Sequence, residues 1–426
     1  MIAAIASAGC VAGFGPSQAA ASAPMVCIAD GTSADVVAAR MAIAAQAEPQ
    51  AANVTERWTR TATDGRGIVR GEPITVTWSV VPDGTKIDGT LGEPSAKSSL
   101  RAFLNENYES ETVWIDLIQQ ALDGWSTGPG ITFAYELKDD GIDLSGGRGK
   151  LGVRGDVRIG GHPIDGDLGT VAYAFFPNGG GDIVIDTRDS FNTTRARFRN
   201  VVSHEAGHAI GLGHTCPLDK TKLMEPTITT IFSGPQFDDL LGAHRNYGDL
   251  EEENDVAGEA ANLGLAIDST TIDNRLALDD NLDDDWFVVP AGALTEITVD
   301  LAPAGTTYPF GTLSEGTCPV GPLPDFDPTF IQDLAVAVVD FDGTTTIASR
   351  RQRIAGRRPT LEVRRLHPGK RWRNRRRPGV RTRSHAGSGA HPRPLESRRP
   401  PGTRRSRKVQ ATARIALSTL INPHQP

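Results

Sequence analysis

The hydrophobic period of the chain changes several times, and each change marks an element. Pro73–Val81 (PITVTWSVV) alternates and is rich in β-branched residues, which predicts a strand. In Thr112–Trp125 the period lengthens. Trp114, Leu117, Ile118, Ala121, Leu122 and Trp125 fall on one helical face, so this helix buries a stripe and its tryptophans are core residues. Ile131–Leu137, Gly155–Gly160, Thr170–Phe176 and Asp182–Asp186 return to strand character, and Arg197–Ile210 is helical again. Strand, helix, strands, helix implies an α+β class, a sheet with helices packed on one side.

The acidic run Asp249–Asp255 (DLEEEND) marks a boundary. Beyond it, Leu278–Asp300 and Ala335–Ser349 alternate strand-like runs with Asp/Gly turns, the pattern of an all-β sandwich. The pattern stops before the last strands that a sandwich needs. The expected divisions are therefore 1–23, 24–72, 73–248, 249–349 and 350–426. The first has an apolar stretch Ile2–Phe14 and a small-residue end Ala21-Ser22-Ala23, like a secretory signal peptide, but no basic residue precedes Arg40. The second is an N-terminal segment or propeptide, with a short helix expected over Ala34–Ala47.

Charge divides the chain more sharply than hydropathy does. The whole chain has 38% hydrophobic residues and a net charge of −8, with a mean hydropathy of −0.27. That is ample core material, and no apolar run is long enough to span a bilayer. Arg350–Pro426 holds 21 Arg and 2 Lys against 2 Glu, a net +21, which leaves −29 for the rest. An acidic body argues against nucleic acid as its partner and suits a secreted protein in calcium-rich surroundings. The tail is read as disordered, or as the product of a reading-frame shift in a GC-rich gene, because its composition flips where the sandwich breaks off. Four cysteines, Cys10, Cys27, Cys216 and Cys318, do not make a disulfide framework. Loss of a leader containing Cys10 leaves at least one unpaired. A Cys216–Cys318 bond would have to cross domains and is disfavoured.

The chemistry is concentrated in Val201–Met224 (VVSHEAGHAIGLGHTCPLDKTKLM), where His204, Glu205, His208, Gly211 and His214 stand in the order H-E-x-x-H-x-x-G-x-x-H. On a helix, His204 and His208 lie one turn apart on one face and can share one zinc ion at about 2.0–2.1 Å. Glu205 is rotated off that axis and can reach a metal-bound water without being a ligand. Gly211 lets the helix stop with φ > 0, so that His214 can return to the same ion. Three protein ligands plus water form an open, catalytic zinc site.

Around this run, Gly160-Gly161-His162, Ala172–Pro177 (AYAFFP), Gly181-Asp182-Ile183, Asp186, Leu223–Pro226 (LMEP) and Phe237–Gly248 resemble matrixin-type peptidases of the metzincin clan, over about Pro73–Gly248. The segment from Asn254 onward resembles the prepeptidase-type C-terminal β-sandwich appended to many secreted bacterial peptidases. The resemblance implies a twisted five-stranded sheet over two long helices, a substrate cleft along the edge strand and a closing helix at Phe237–Gly248. It puts Met224 in a turn beneath the zinc, as an apolar floor rather than a ligand. It implies a secreted zinc endopeptidase acting on a protein or peptide, with Glu205 as general base.

Several positions depart from that pattern. Tyr173 and Val184 stand where the family places histidines for a second, structural zinc, and the loop His162–Asp165 is shortened. One catalytic zinc and no structural one is expected, although His162 and Asp165 remain. Asp156, Asp182, Asp186 and Asp189 match positions near the family's calcium sites, beside the Gly-rich loop Asn178–Gly181; calcium ligands and solvated turn acids are both open for them. Asp283–Asp285 carries the same two readings. Glu225 follows Met224 where the family often has Tyr, so the specificity pocket is not carried over. A thiolate from Cys27 could cap the zinc as in some related propeptides, but MVCIADG does not match their motif, and an ordinary buried or free cysteine is expected. The alternative function is a secreted binding or adhesion protein with a vestigial peptidase domain, against which the complete set of ligands and base argues.

Overall fold

The computed structural model describes residues 2–8, 25–33, 36, 56–144, 147–262, 269–279, 283–289, 296–305, 307–311, 318, 321–328, 334–339, 346–351, 360–364 and 410–418. Apart from Val36, the short helix expected over Ala34–Ala47 lies outside them.

Seven strands form the central sheet: β1 (Met25–Ala29), β2 (Ile74–Val80), β3 (Ile131–Tyr135), β4 (Val157–His162), β5 (Thr170–Ala174), β6 (Ile183–Asp186) and β7 (Thr227–Ile228). Their order is β7-β1-β5-β6-β4-β2-β3. β3, β2, β4 and β6 are parallel, and β5 runs antiparallel to β6. These five are the strands that the alternating patterns predict. The expectation of a five-stranded sheet is corrected by two more on the β5 edge. β1 lies antiparallel along β5, with Cys27 opposite Ala172, and β7 runs parallel to β1, with Thr227 opposite Ile28. An edge strand exposes a row of unpaired N–H and C=O groups, and β1 satisfies that row on β5. MVCIA escapes a period-2 test because it is apolar throughout, and all five residues are buried.

Four helices contribute residues to the core: α1 (Leu100–Asn107), α2 (Glu111–Asp123), α3 (Arg195–Ala209) and α4 (Phe237–Tyr247). α2 starts where the Ser110 side chain accepts from Val113 N, and it buries the expected stripe of Trp114, Leu117, Ile118, Ala121 and Leu122. Each buried Leu or Ile contributes roughly 1.5–3 kcal/mol. The indoles also find acceptors: Trp114 Nε1 donates to Asn105 Oδ1 at 2.9 Å and Trp125 Nε1 to Ser203 O at 2.8 Å. Residues ahead of β2 join this core too. Trp58 is buried in it and its Nε1 donates to Ala209 O at 2.9 Å.

The C-terminal part is all-β in its described residues. One sheet orders Ala261–Asn262, Asp284–Val289, Ile2–Ala8, Leu334–Val339 and Thr346–Arg351; the other orders Ser269–Ala277, Gln410–Ser418, Glu296–Ala304 and Thr360–Arg364. Two of these strands, Thr360–Arg364 and Gln410–Ser418, lie in the Arg-rich tail. Their sequences, TLEVR and QATARIALS, keep a period-2 alternation inside a basic composition. No helix among the described residues is long and apolar enough to cross a membrane.

The cysteine expectation is also corrected: Cys216 and Cys318 are disulfide-bonded, and Cys27 is free and buried. The bond is possible because residues 308–311 fold back on the catalytic unit. Cys216 pairs with Gly311 in an isolated bridge, Lys222 Nζ donates to Pro309 O at 3.1 Å, and Tyr308 Oη donates to Asp238 Oδ1 at 2.6 Å.

Candidate metal centre

α3 carries the first two ligand candidates and ends in a glycine-dependent reversal. Gly211 N bonds His208 O and Leu212 N bonds Gly207 O, both at 2.8 Å, a Schellman closure with Gly211 at φ 98°. No other residue fits there, since a Cβ on Gly211 would lie 1.9 Å from Glu56 O. The same reversal turns Leu212 O back to His208 Nδ1 at 2.6 Å, and His204 Nδ1 meets Leu223 O at 2.6 Å. A carbonyl can only accept, so both Nδ1 atoms are protonated and both Nε2 atoms carry lone pairs.

Those lone pairs converge. His204, His208 and His214 Nε2 stand 3.0–3.2 Å apart. Between two neutral acceptors that distance is repulsive, whereas tetrahedral ligands at about 2.0–2.1 Å from one ion are spaced by about 3.3 Å. Burial keeps the imidazoles unprotonated: it lowers His204 to about 4, and His208 and His214 well below the ordinary value. All three are fully buried. The donor set fits one metal ion, and nitrogen-only ligation suits zinc over calcium or magnesium.

Glu205 follows the first imidazole and is fully buried. Burial raises its pKa well above the ordinary value, against the opposing effect of a hydrogen bond with the thiol of Cys27. One ligand atom each from Cys27, His204 and Glu205 lie within 4.8 Å of one another. Cys27 is buried and in no disulfide, and β1 sets it against the candidate base and the first imidazole, a placement that no local motif announces.

Met224 is buried under α3. A Cβ on Gly207 would come within 2.3 Å of Met224 Sδ, so the helix carries glycine where the sulfur packs. The Met224 turn is tied by two carboxylates that sequence reasoning missed. Asp239 Oδ2 accepts Leu223 N at 2.8 Å and its Oδ1 accepts Met224 N at 3.1 Å. Glu225 accepts from the backbone N–H groups of Lys220, Thr221 and Lys222. Burial raises each acid to about 7. A usable signal existed for Asp239, because Gln236-x-x-Asp239 is a capping box at the start of α4.

The remaining singled-out residues lie elsewhere. Tyr173 and Val184 are cross-strand partners inside a second apolar cluster with Val26, Ile28 and Leu91. His162 is buried, with Nδ1 2.9 Å from Pro163 O. Asp156 accepts from Ala62 N, Thr77 N and Thr77 Oγ1; Asp186 accepts from Ile164, Asp165, Gly166 and Arg188 N. Asp182 accepts from Arg158 N, and Asp189 caps Phe191 N. These four acids do not converge on one point as the histidines do.

Residues 100–248 match the family model for matrixin. Among curated proteins, interstitial collagenase of Oryctolagus cuniculus is 32% identical over 192 residues, covering 42% of this chain and 38% of the relative. Matrix metalloproteinase-20 of Homo sapiens is 28% identical over 185 residues, 39% of this chain and 35% of the relative. Metalloendoproteinase 2-MMP of Arabidopsis thaliana is 33% identical over 124 residues, 27% and 31% of the two chains. The chain thus spans well under half the length of these relatives. Among solved structures, myroilysin overlaps 34% of this chain and 51% of its own at 16% identity, with a TM-score of 0.19.

Proposed function

We propose that the matrixin-like segment is a zinc-dependent endopeptidase, secreted, with His204, His208 and His214 as ligands and Glu205 as general base. The observation that carries this reading is the convergence of three buried imidazole Nε2 atoms, two of them fixed as lone-pair donors, beside a buried carboxylate. A zinc ion held there would polarise a scissile carbonyl and acidify a bound water. The chain's own residues do the rest. Leu223 O and Leu212 O hold the tautomers of His204 and His208, Met224 supports α3 from below, and Glu205, beside the first imidazole, is placed to take a proton and return it to the leaving amine.

A peptide substrate is an extended strand, and the slot for one is the edge of β5, where β1 now lies between β5 and β7. Protein or peptide substrates suit such a slot because main-chain hydrogen bonds hold any extended sequence. The test combines zinc quantitation with casein digestion. Wild-type protein should bind one zinc per chain and lose proteolysis on chelation. Glu205→Ala should keep the zinc and lose activity by at least about 10²–10⁴-fold, the range for a general base. Casein cleavage by Glu205→Ala at the wild-type rate would refute the mechanism, and the vestigial-domain alternative would gain if wild type bound zinc without cleaving.

A further inference from the structure

The second place where ligand atoms converge is the junction behind α4. Asp249, Glu252 and Asp285 each bring a carboxylate oxygen to within 4.8 Å of the others. Asp249 follows the last helix of the catalytic unit, Glu252 lies in the linker, and Asp285 is on the strand Asp284–Val289. Asp249 and Asp285 are fully buried. No ammonium or guanidinium forms an ion pair with any of the three among the described residues. Like charges brought together out of water are strongly unfavourable unless protonated or compensated.

Two observations separate this cluster from an ordinary acidic turn. Asp285 Oδ2 and Asp283 Oδ1 are buried polar atoms without a hydrogen-bond partner, on side chains that are 0% and 5% exposed. The fully buried Asn254 amide, moreover, lies 3.2 Å from both Asp285 Oδ1 and Glu252 Oε2. With its nitrogen turned to them it supplies two neutral hydrogen bonds against two charges, and Asp285 Oδ2 is still unpartnered. With its oxygen turned to them, its nitrogen reaches Trp286 O at 3.3 Å and the oxygen becomes a fourth hard donor. Oxygen contacts of about 3 Å are what ligands at 2.3–2.6 Å from one ion produce.

We propose that Asp249, Glu252, Asn254 and Asp285 form a calcium site that fastens the linker 249–255 to the all-β part. All donors are oxygens, three of them carboxylate, which suits calcium; zinc prefers nitrogen and sulfur, and magnesium keeps most of its waters. An entry route exists. Glu252 also lines an open cleft of about 260 Å³ whose other walls include Asp255, Asp279, Asp283 and the single Arg70. Asp249 Oδ1 accepts Glu251 N at 2.7 Å and its Oδ2 accepts Ala277 N at 2.8 Å, which leaves each oxygen a second lone pair. Asp285 Oδ2 has no donor, in contrast to the oxygens of Asp156 and Asp186, which are filled by backbone and hydroxyl donors.

The test uses the full chain, freed of calcium with EGTA and checked for retained zinc, and titrates calcium chloride by calorimetry alongside thermal melting. Wild type should bind calcium and melt higher in its presence. Glu252→Gln and Asp285→Asn should each weaken binding on the order of tenfold or more, since even outer-shell partners of a metal ligand are worth about 10–100-fold. In EGTA, Asp285→Asn should melt no lower than wild type, because it removes an uncompensated charge; a merely structural aspartate would give the opposite result. Glu259→Gln, at the exposed rim of the cleft, should bind as wild type does. If Asp285→Asn does not fold, Glu252→Gln decides. Absence of calcium binding up to millimolar concentration, wild-type affinity in both ligand variants, or equal weakening in Glu259→Gln would overturn the assignment. Zinc content and casein cleavage are separate readouts, so failure here is distinguishable from failure of the peptidase reading.

Discussion

The Cys27 thiol faces the Glu205 carboxylate, and neither side chain is exposed to solvent. Burial first, and the Glu205 charge second, raise the thiol pKa well above its ordinary value, so Cys27 is a neutral thiol beside the candidate base. The contact exists because β1 takes the edge of β5 with Cys27 opposite Ala172.

A strand tethered in that slot competes with peptides at an effective concentration on the order of millimolar. Deleting residues 25–33, which removes β1 and leaves the strand Ile2–Ala8, should therefore lower KM for a peptide substrate about tenfold or more with little change in kcat. Cys27 in the full chain should resist alkylation under native conditions, as mapped by mass spectrometry. An unchanged KM together with a readily alkylated Cys27 would mean that β1 does not hold the slot.

Gly207 and Met224 form the floor of the centre. A Cβ at Gly207 would meet Met224 Sδ at 2.3 Å and Trp125 Cζ2 at 2.8 Å. Gly207→Ala should cost about 1–3 kcal/mol through overpacking and should weaken zinc retention, because α3 must lift off its support. Denaturant midpoints and zinc competition with a chromogenic chelator measure both effects. Undiminished zinc affinity would show that the helix moves without disturbing the histidines.

Asp239 links pH to the stability of the Met224 turn. Its folded pKa, raised by burial to about 7, exceeds the ordinary 3.8, so the folded state binds more protons than the unfolded state between those values. Its stabilising contribution is complete below about 4 and is lost as pH rises toward 7, by the linkage relation. Glu225 titrates in the same direction. Asp239→Asn should flatten the fall in melting temperature over this interval relative to wild type. An unchanged slope would locate the pH dependence elsewhere.

The Cys216–Cys318 bond closes a loop of 102 residues in sequence separation. Chain-entropy bookkeeping assigns up to about 4–5 kcal/mol to a loop of this size, and measured values range from about 0 to 5. Cys318→Ser should lower the denaturant midpoint of the full chain and loosen the contact of Tyr308 with Asp238. Urea unfolding monitored by tryptophan fluorescence checks this, with no change as the contrary result.

Local pattern was enough wherever period and chemistry coincided. Trp114, Leu117 and Ile118 announced α2 through spacing alone, and His204 with His208 announced a ligand pair because one helical turn places four-apart residues together. Those statements need only a few consecutive residues. α1 has no comparable stripe, with only Leu100 and Leu104 buried, and it was not anticipated.

What the sequence by itself determined is the zinc motif, the five alternating strands and the helices that bear a clear stripe, because each is encoded in neighbouring residues. What only the tertiary structure decided is everything that depends on distant segments meeting. β1 beside β5, the Cys27 thiol against Glu205, Asp239 under Met224, the Cys216–Cys318 bond and the carboxylates of Asp249, Glu252 and Asp285 join residues up to 178 positions apart in contacts that no local period records. The physical reason is that an open sheet edge or a buried charge is satisfied by whichever segment the fold brings near, and that choice is made by packing of the whole chain.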